Sequence, residues 1–217
     1  MRFFSLLSLS IFALFAVAFT TQDSKADKIL KESKSTFDKL SDFSADFTYG
    51  LGSQDPTNNS RISVQKTGGL KYSKGKYAIV MEDQEIYCDG TTMWIYLPED
   101  EEVNVMECDP EEGIDIESIF KLYQGSSKSR YDGVEKLNGH DCHRIFLSTL
   151  DKELEFNQVM VWINTKTSLL EKAVTINRRQ TKTTYIFSNI ETNQGLGQKA
   201  FSFDIASHPD VAVYDER

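Results

Sequence analysis

The residues of this sequence that could carry out covalent or metal chemistry are few, and the densest group lies at positions 140–143. The group places His140, Asp141, Cys142 and His143 in succession. Cysteine beside histidine is typical of an activated nucleophile, and the same residue types bind zinc. On a strand, His140 and Cys142 share one face while His143 points away. Because no third soft ligand is nearby, we interpret the group as a solvated hairpin, with a hydrolase that uses Asp141, Cys142 and His143 as the alternative.

A second polar group is the acidic run at residues 99–102. It lacks the Asp/Asn/Gly spacing of a calcium-binding loop, so a polar hairpin tip is the preferred interpretation. The sequence also contains no Gly-rich phosphate loop, no Gly-x-Ser-x-Gly elbow and no His-Glu-x-x-His motif. We therefore expect no enzyme activity, no cofactor and no metal.

The composition narrows the classes of protein further. The 217 residues include 24 Lys+Arg against 33 Asp+Glu, for a formal net charge of −9, which is the wrong sign for a nucleic-acid-binding surface. Hydrophobic residues at 40% and aromatic residues at 12% are too many for a disordered chain. Three cysteines are too few for a disulfide-stapled scaffold. We expect one core and no nucleic acid as a partner.

The first 18 residues have the features of a secretory signal peptide. Met1 and Arg2 precede an apolar run over residues 3–17, and Ala16, Val17 and Ala18 fit the small-x-small cleavage site. The run is about 15 residues, shorter than the roughly 20 that a spanning helix needs, so an uncleaved anchor is the lesser alternative. No cysteine follows the run to accept an N-terminal lipid. We predict cleavage near Ala18 and a single domain over residues 19–217.

The predicted secondary structure begins with a helix at residues 24–40. Ser24 can cap it, with Asp27 at the capping-box spacing. One stripe of the helix carries apolar and small residues at helical spacing: Ala26, Ile29, Leu30, Ser33, Phe37 and Leu40. A second, shorter helix is predicted at residues 116–123 and ends at Gly125.

The rest of the chain alternates with a period of two and predicts about eleven strands. Their short spacers permit only antiparallel neighbours, and Asn138 with Gly139 is typical of a tight hairpin. Gly68 and Gly69 are expected to interrupt a strand as a bulge or turn. Residues 201–203 are expected to form a last edge strand.

Several strands are apolar on both faces. In the hairpin around Asp89 and Gly90, the two possible loop lengths give the same face assignment because they differ by two residues. One face takes Ile86, Cys88, Met93, Ile95 and Leu97, and the other takes Glu85, Tyr87, Trp94 and Tyr96. The strand at residues 156–163 likewise has apolar side chains on both faces. A sandwich or a second layer of helices would explain this pattern, and so would a curved sheet with an apolar cavity on its hollow side.

The same geometry predicts that Cys88 and Cys108 are not bridged. The strand at residues 93–97 runs between them, and two strand spacings are roughly 9.6 Å. A disulfide needs Cα atoms within about 7 Å. The alternative is that Cys108 has left the sheet, in which case a bridge is possible.

Four stretches together carry a resemblance to a known family. An amphipathic helix leads into a strand at residues 28–48, and an Asp-Pro loop precedes the short helix at Ile119. The central hairpin reads Cys88-Asp89-Gly90-Thr91-Thr92-Met93-Trp94-Ile95-Tyr96-Leu97-Pro98, and the end reads Phe201-Ser202-Phe203 and then His208-Pro209-Asp210-Val211-Ala212-Val213-Tyr214-Asp215-Glu216-Arg217. In these features nearly all of the chain after the leader resembles the LolA family of periplasmic outer-membrane lipoprotein carriers.

The resemblance implies a fold and a function. The fold is mainly β, an unclosed antiparallel barrel of about eleven strands with two or three helices as a lid over a hydrophobic cavity. The function is carriage of acylated lipoproteins through the periplasm, as a monomer, from an inner-membrane ABC transporter to an outer-membrane acceptor. The alternative is a lipid- or lipoprotein-sensing regulatory module of the same fold. The candidate cavity residues are Leu30, Phe37, Phe47, Ile86, Met93, Ile95, Ile119, Phe120 and Met160.

One departure from the family concerns the lid. Members carry an Arg-Pro pair near the strand after the first long hairpin, and that arginine helps to close the lid. The matching stretch here, residues 73–78, contains neither residue. Lys74 or Lys76 could substitute electrostatically, although lysine lacks the planar fork of arginine.

Overall fold

The computed structural model describes residues 18–53, 61–108, 128–148 and 156–217. These residues form one α-helix, α1 (Ala18–Asp38), two short 3₁₀ helices (Gln198–Phe201 and Ile205–Ser207) and one twelve-stranded sheet. The strands are β1 (Phe43–Ser53), β2 (Arg61–Ser73), β3 (Lys76–Met81), β4 (Glu85–Cys88), β5 (Thr92–Leu97), β6 (Glu102–Glu107), β7 (Lys128–Leu137), β8 (His140–Ser148), β9 (Phe156–Asn164), β10 (Leu170–Asn177), β11 (Thr181–Thr192) and β12 (Ala212–Asp215). Within the described residues no helix has the length and apolar character to span a bilayer.

The sheet is built from two antiparallel runs that meet at β1 and β11. The strand order is β12-β6-β5-β4-β3-β2-β1-β11-β10-β9-β8-β7, so β12 and β7 form the two edges and the sheet does not close. All hydrogen-bonded pairs among strands β1 to β11 are antiparallel, as predicted. The predicted hairpin at Asn138 and Gly139 joins β7 to β8. Both turn residues have positive φ, 50° and 84°, as a tight hairpin requires.

The expected last strand at residues 201–203 is wrong. Phe201 ends a 3₁₀ helix, and the terminal strand is β12, which pairs in parallel with β6 and brings the count to twelve. The alternating aromatic residues misled the prediction because they pack onto the sheet instead of pairing with its edge. Phe203 lies against Val103 and Val105 of β6.

The expected break at Gly68 and Gly69 is also wrong. Strand β2 runs through both glycines, which pair with β1 on one side and β3 on the other. A Cβ atom at Gly68 would overlap the backbone carbonyl oxygen of Val80. Glycine is needed here for the close approach of two strands, which is the other meaning of a glycine inside a strand pattern.

Helix α1 confirms the predicted stripe and corrects the predicted start. Ala26, Leu30 and Ser33 are buried, and Ile29, Phe37 and Leu40 are half-buried. Ser24 lies inside the helix and does not cap it, since α1 begins at Ala18. The predicted helix at residues 116–123 and the leader up to residue 17 lie outside the described residues. The expectation of two or three helices is therefore not confirmed.

The two faces of the sheet have different coverings. We call the side on which α1 packs the helix face and the opposite side the outer face. On the helix face, α1 packs against two apolar clusters, one centred on β8–β10 and one on β1–β4. On the outer face, Phe203 and Val211 of the C-terminal segment cover β5 and β6. The predicted face assignment is confirmed, because Ile86, Cys88 and Met93 join the helix-face cluster while Tyr87, Trp94 and Tyr96 join the outer one.

The prediction that Cys88 and Cys108 are unbridged is wrong. The two residues form a disulfide, with Cα atoms 5.9 Å apart. Strand β6 ends at Glu107, and the Cys108 N–H donates a hydrogen bond to the carbonyl oxygen of Thr91 at 2.8 Å. Cys108 therefore lies beside the turn that joins β4 to β5, beyond the start of β5, so no strand separates the two sulfur atoms. Among the described residues Cys142 is the free cysteine.

Candidate functional site

The first candidate site is a small apolar cavity between α1 and the helix face of the sheet. Its free volume is about 30 Å³, close to that of a single water molecule. The cavity is lined by Ser33, Phe37, Leu40, Phe43, Ala45, Leu169, Leu170, Phe187 and Ile190. The two helix-face clusters meet beside it, because Leu170 and Tyr185 pack against both.

Ser33 is the polar residue in this apolar lining. It lies on the buried stripe of α1 with 1% of its surface exposed, and its hydroxyl has no hydrogen-bond partner among the described residues. A buried hydroxyl without a partner costs about 1–3 kcal/mol. The contact between α1 and the sheet is therefore weaker than the apolar stripe alone would make it.

Six of the sequence-predicted cavity residues lie on the helix face. Leu30 belongs to the β8–β10 cluster, and Phe37, Phe47, Ile86 and Met93 belong to the β1–β4 cluster. Ile95 is directly opposite Ile86 in the β4–β5 pair and so shares its face. Phe37 is the one that lines the small cavity itself.

The remaining predicted residues are elsewhere. Ile119 and Phe120 lie outside the described residues. Met160 lies on the outer face with Trp162 and Val174, while its neighbours Val159 and Val161 face α1. The sequence prediction missed the other eight residues of the cavity lining, among them Leu170, Phe187 and Ile190. Alternation along β11 was a usable signal for Phe187, but nothing in the sequence indicated that β11 would pair with β1 beneath the helix.

The polar contacts that fasten α1 to the sheet are on the surface. Ser129 donates a hydrogen bond to Asp27 at 2.6 Å, and Ser168 donates one to Glu32 at 3.3 Å. The ammonium group of Lys25 lies 3.9 Å from the centre of the Tyr131 ring. Exposed contacts of this kind contribute little to stability.

Neither lysine suggested as a substitute latch reaches α1 within the described part of the chain. Lys76 donates a hydrogen bond at 2.6 Å to Gln198 in the C-terminal segment. Lys74 occupies the turn between β2 and β3 with a φ of 46° and is exposed. The polar contacts between α1 and the sheet instead come from β7 and from the turn between β9 and β10.

The group at residues 140–143 is split between the two faces, as the alternation predicted. His140 Nδ1 lies 2.7 Å from the buried carboxylate of Glu171, and the thiol of Cys142 donates to the same carboxylate at 3.5 Å. Burial, followed by the charge of Glu171, raises the pKa of Cys142 to about 12. His143 lies on the helix face beside the Tyr131 hydroxyl, 3.2 Å away.

This arrangement is unsuited to nucleophilic catalysis by Cys142. A nucleophilic cysteine needs a lowered pKa and an adjacent base, whereas this thiol is buried and its nearest histidine in sequence points away from it. The described residues bring together no group of three or more His, Cys, Asp or Glu side chains suited to a metal ion. The acidic run at residues 99–102 lies at the turn between β5 and β6, as a polar hairpin tip should.

A second concave site lies on the outer face. It is a cleft of about 410 Å³ over β8–β11 and β1, and Met160 and Trp162 contribute to its floor. We call it the outer cleft. It is far larger than the cavity under α1 and lies on the opposite side of the sheet.

The chain matches one family model and several solved structures. The model of the outer membrane lipoprotein carrier protein LolA matches residues 38–204. An uncharacterized conserved protein from Thermus thermophilus superposes with a TM-score of 0.57 at 9% identity, over 88% of this chain and 99% of that one. The lipoprotein LppX from Mycobacterium tuberculosis gives a TM-score of 0.51 at 11% identity, over 81% of this chain and 98% of LppX.

A third structural match extends over only part of the other protein. MucB superposes with a TM-score of 0.50 at 14% identity, over 83% of this chain but 63% of MucB. A comparison with curated proteins finds no match. At these identities the structural matches establish the fold alone.

Proposed function

This chain belongs to the family of the outer membrane lipoprotein carrier protein LolA, and on that basis we propose that it is a periplasmic carrier that binds the acyl chains of lipoproteins and transports them from the inner to the outer membrane. The observation that carries the proposal is the apolar helix face. Its two clusters extend over β1–β4 and β7–β11 and are bridged by Leu170 and Tyr185.

The helix face is much larger than its described helical cover. From β4 to β8 the sheet has seven strand spacings, which is roughly 34 Å across the strands. The 21 residues of α1 give a helix about 31 Å long but only about 10 Å wide. The helix crosses the sheet, with Leu30 on the β8–β10 cluster and Phe37 on the β1–β4 cluster. Moving α1 would uncover a broad apolar surface suited to acyl chains.

Binding an acyl chain requires such a movement. A cavity of about 30 Å³ holds roughly one water molecule and no acyl chain. Each CH₂ group transferred from water gains about 0.8 kcal/mol, so several of them offset the loss of the contacts that α1 makes. The exposed contacts at Asp27 and Glu32 and the unpaired hydroxyl of Ser33 make the closed state easy to open.

Loading and release then require partners at both membranes. We propose that an inner-membrane ABC transporter delivers the lipoprotein and that an outer-membrane acceptor removes it. A carrier must release what it binds, so weak fastening of α1 suits this role better than a rigid site.

Co-purification of cargo tests the proposal. The tagged chain is expressed in the periplasm of a diderm bacterium together with a lipoprotein or with the same lipoprotein lacking its acylated cysteine. We expect the acylated form to co-purify and the unacylated form to be absent. Equal recovery of both forms would overturn the proposal and favour a regulatory module that recognises the protein part of its partner.

Two adjacent residues of β3 provide a matched pair of variants. Met81 packs into the helix-face cluster, whereas Val80 is 39% exposed. We expect Met81→Glu to reduce recovery of the acylated cargo at least tenfold and Val80→Glu to leave it unchanged. Thermal unfolding of both variants shows whether each is folded. If a folded Met81→Glu chain retains cargo as well as Val80→Glu, the helix face is not the binding surface.

A further inference from the structure

The outer cleft has an apolar floor on the side of the sheet that α1 does not cover. Its lining includes Phe146, Met160, Trp162, Val174, Ile176 and Ile186. Gly50 and Gly52 of β1 also line it and have no side chains to fill it. The volume of about 410 Å³ falls within the range of small-molecule sites, roughly 300–1,000 Å³.

Two lysines share this apolar cleft. Lys172 lies directly opposite Trp162 in the β9–β10 pair, with its ammonium nitrogen 4.3 Å from the centre of the Trp162 ring. Lys182 is the second lysine of the lining. Burial lowers the pKa of Lys172, and the charge of Lys182 adds to that effect while Glu135 opposes it. An anion in the cleft would offset the cost of holding the Lys172 ammonium group in this half-buried, apolar position.

The nearby acidic side chains on β7 are already engaged with arginines. Glu135 accepts a hydrogen bond from Arg144 at 2.9 Å. Asp132 accepts one from Arg130 at 2.7 Å. Lys172 forms an ion pair with neither acid, and its ammonium group lies over the Trp162 ring in the lining of the cleft.

Trp162 supplies an independent indication of a ligand. Its side chain is 94% buried, and its indole nitrogen has no hydrogen-bond partner among the described residues. Buried donors are almost always paired, because an unpaired one costs about 1–3 kcal/mol. The nitrogen is itself enclosed by the protein, so an oxygen atom of a bound molecule would pair this donor only after the side chains around it move. Gln158 and Thr184 add further polar atoms to the lining.

We propose that the outer cleft binds one single-chain amphipathic anion, such as a fatty acid, with its head group at Lys172 beside the Trp162 ring and its chain along the apolar floor. The site is separate from the helix face proposed for the lipoprotein acyl chains. It would give the protein a second ligand, and neither site depends on the other being occupied.

Indole NMR signals provide a direct test with dodecanoate below its micelle concentration as the probe. The chain contains two tryptophans, Trp94 and Trp162, and the variants Trp94→Phe and Trp162→Phe assign their two indole signals. We expect dodecanoate to shift the Trp162 signal saturably and to leave that of Trp94 in place. Dodecyltrimethylammonium, with the same chain and a positive head, should shift neither. A Trp162 signal that does not move with dodecanoate would overturn the proposal.

Lysine variants test the position of the head group. We expect Lys172→Met to weaken dodecanoate binding about tenfold, the effect of losing one charged hydrogen bond. The control is Lys166→Met in the exposed turn between β9 and β10, which should bind as the wild type does. Equal affinity of Lys172→Met and wild type would place the ligand elsewhere and refute the site.

Flotation with phosphatidylglycerol vesicles separates a free ligand from a membrane surface. We expect the protein to remain unbound, because the cleft accommodates one chain and not a bilayer. Flotation that Lys172→Met abolishes would overturn the proposal in favour of a membrane-docking face. Failure of these tests leaves the lipoprotein co-purification result unaffected, so the two proposals fail separately.

Discussion

Cys88 and Cys108 are joined across the turn between β4 and β5, and this bond fixes Cys108 at the point where β6 ends. The disulfide lies on the helix face of the sheet, since both cysteines belong to the β1–β4 cluster.

Thiol counting checks this pairing. Because Cys142 is buried and its thiol pKa is raised to about 12, the native unreduced protein should react with no equivalent of iodoacetamide at pH 8. After unfolding without reductant one thiol per chain should react, and after unfolding with reductant three should. Mass spectrometry gives the counts. Three reactive thiols without reductant would show that the bond is absent.

Removing the disulfide should lower stability. The bonded residues are 20 apart in sequence, and closing a loop of that length restricts the unfolded chain by about 3 kcal/mol in the chain-entropy account. We expect the Cys88→Ala, Cys108→Ala double variant to lose about that free energy of unfolding in urea. Reduced wild-type protein is the control and should fall to within about 1 kcal/mol of the double variant. An unchanged urea midpoint would contradict the prediction.

Ser33→Ala should stabilise the protein. The substitution removes a buried hydroxyl without a described partner, a gain of about 1 kcal/mol. Ser35→Ala is the matched control, since Ser35 is exposed on the same helix and reports the helix propensity of alanine alone. The difference between the two variants in urea unfolding measures the effect. If the proposed function is correct, Ser33→Ala should also retain less acylated lipoprotein, because α1 opens less readily.

Protonation of Asp42 should make the protein less stable in acid. Burial raises the pKa of its carboxyl, but hydrogen bonds from the N–H groups of Gln194, Gly195 and Leu196 and from the Ser41 hydroxyl outweigh burial, and the pKa is lowered. The pKa of Asp42 in the folded protein is below its value in the unfolded chain, which is about 3.9. The stabilisation that the Asp42 carboxylate provides is therefore fully present above about pH 3.9. It is lost as the pH falls through the folded pKa.

The variant Asp42→Asn tests this contribution. It should lower Tm at pH 7 and flatten the dependence of Tm on pH below about 4. Asp46, which is exposed on the adjacent strand β1, is the control, and Asp46→Asn should lower Tm at pH 7 by less than Asp42→Asn does. An Asp42→Asn profile that still parallels the wild type below pH 4 would exclude Asp42 as the source.

Phe203 should be a major contributor to stability on the outer face. Its ring centre lies 4.8 Å from that of Tyr96 and 4.6 Å from that of His208, and its side chain packs on Val103 and Val105. We expect Phe203→Ala to cost about 3 kcal/mol in unfolding free energy. Ile205→Ala, at a residue 39% exposed in the same segment, should cost less than about 0.5 kcal/mol. Similar losses for both variants would show that the segment packs differently.

The sequence was sufficient to assign the side chains of the β4–β5 hairpin to its two faces, because a two-residue change of register leaves the alternation of faces unchanged. Ile86 and Met93 were separated correctly from Tyr87 and Trp94 without knowledge of the loop. Alternation does not say which face a helix covers, however. Met160 was therefore grouped with the helix-face residues although it lies on the outer side.

Two further errors involve residues that are not neighbours in the chain. Strand β12 pairs with β6, more than 100 residues away, and its four residues are exposed, so no apolar pattern indicated it. The approach of Cys108 to Cys88 depends on where β6 ends, which is set by the pairing of β5 with β6. Composition and periodicity report local structure and are silent on such contacts.

The two edge strands of the sheet, β7 and β12, lie at opposite ends of its strand order and are not hydrogen-bonded to each other. In a closed barrel the number of strands and their stagger fix the circumference, and any expansion breaks ladder hydrogen bonds. This sheet has no such fixed circumference. It can flatten or curl by small changes of twist at every strand pair while all eleven ladders stay intact. If the proposed function is correct, the space that it encloses would therefore adjust to acyl chains of different number and length.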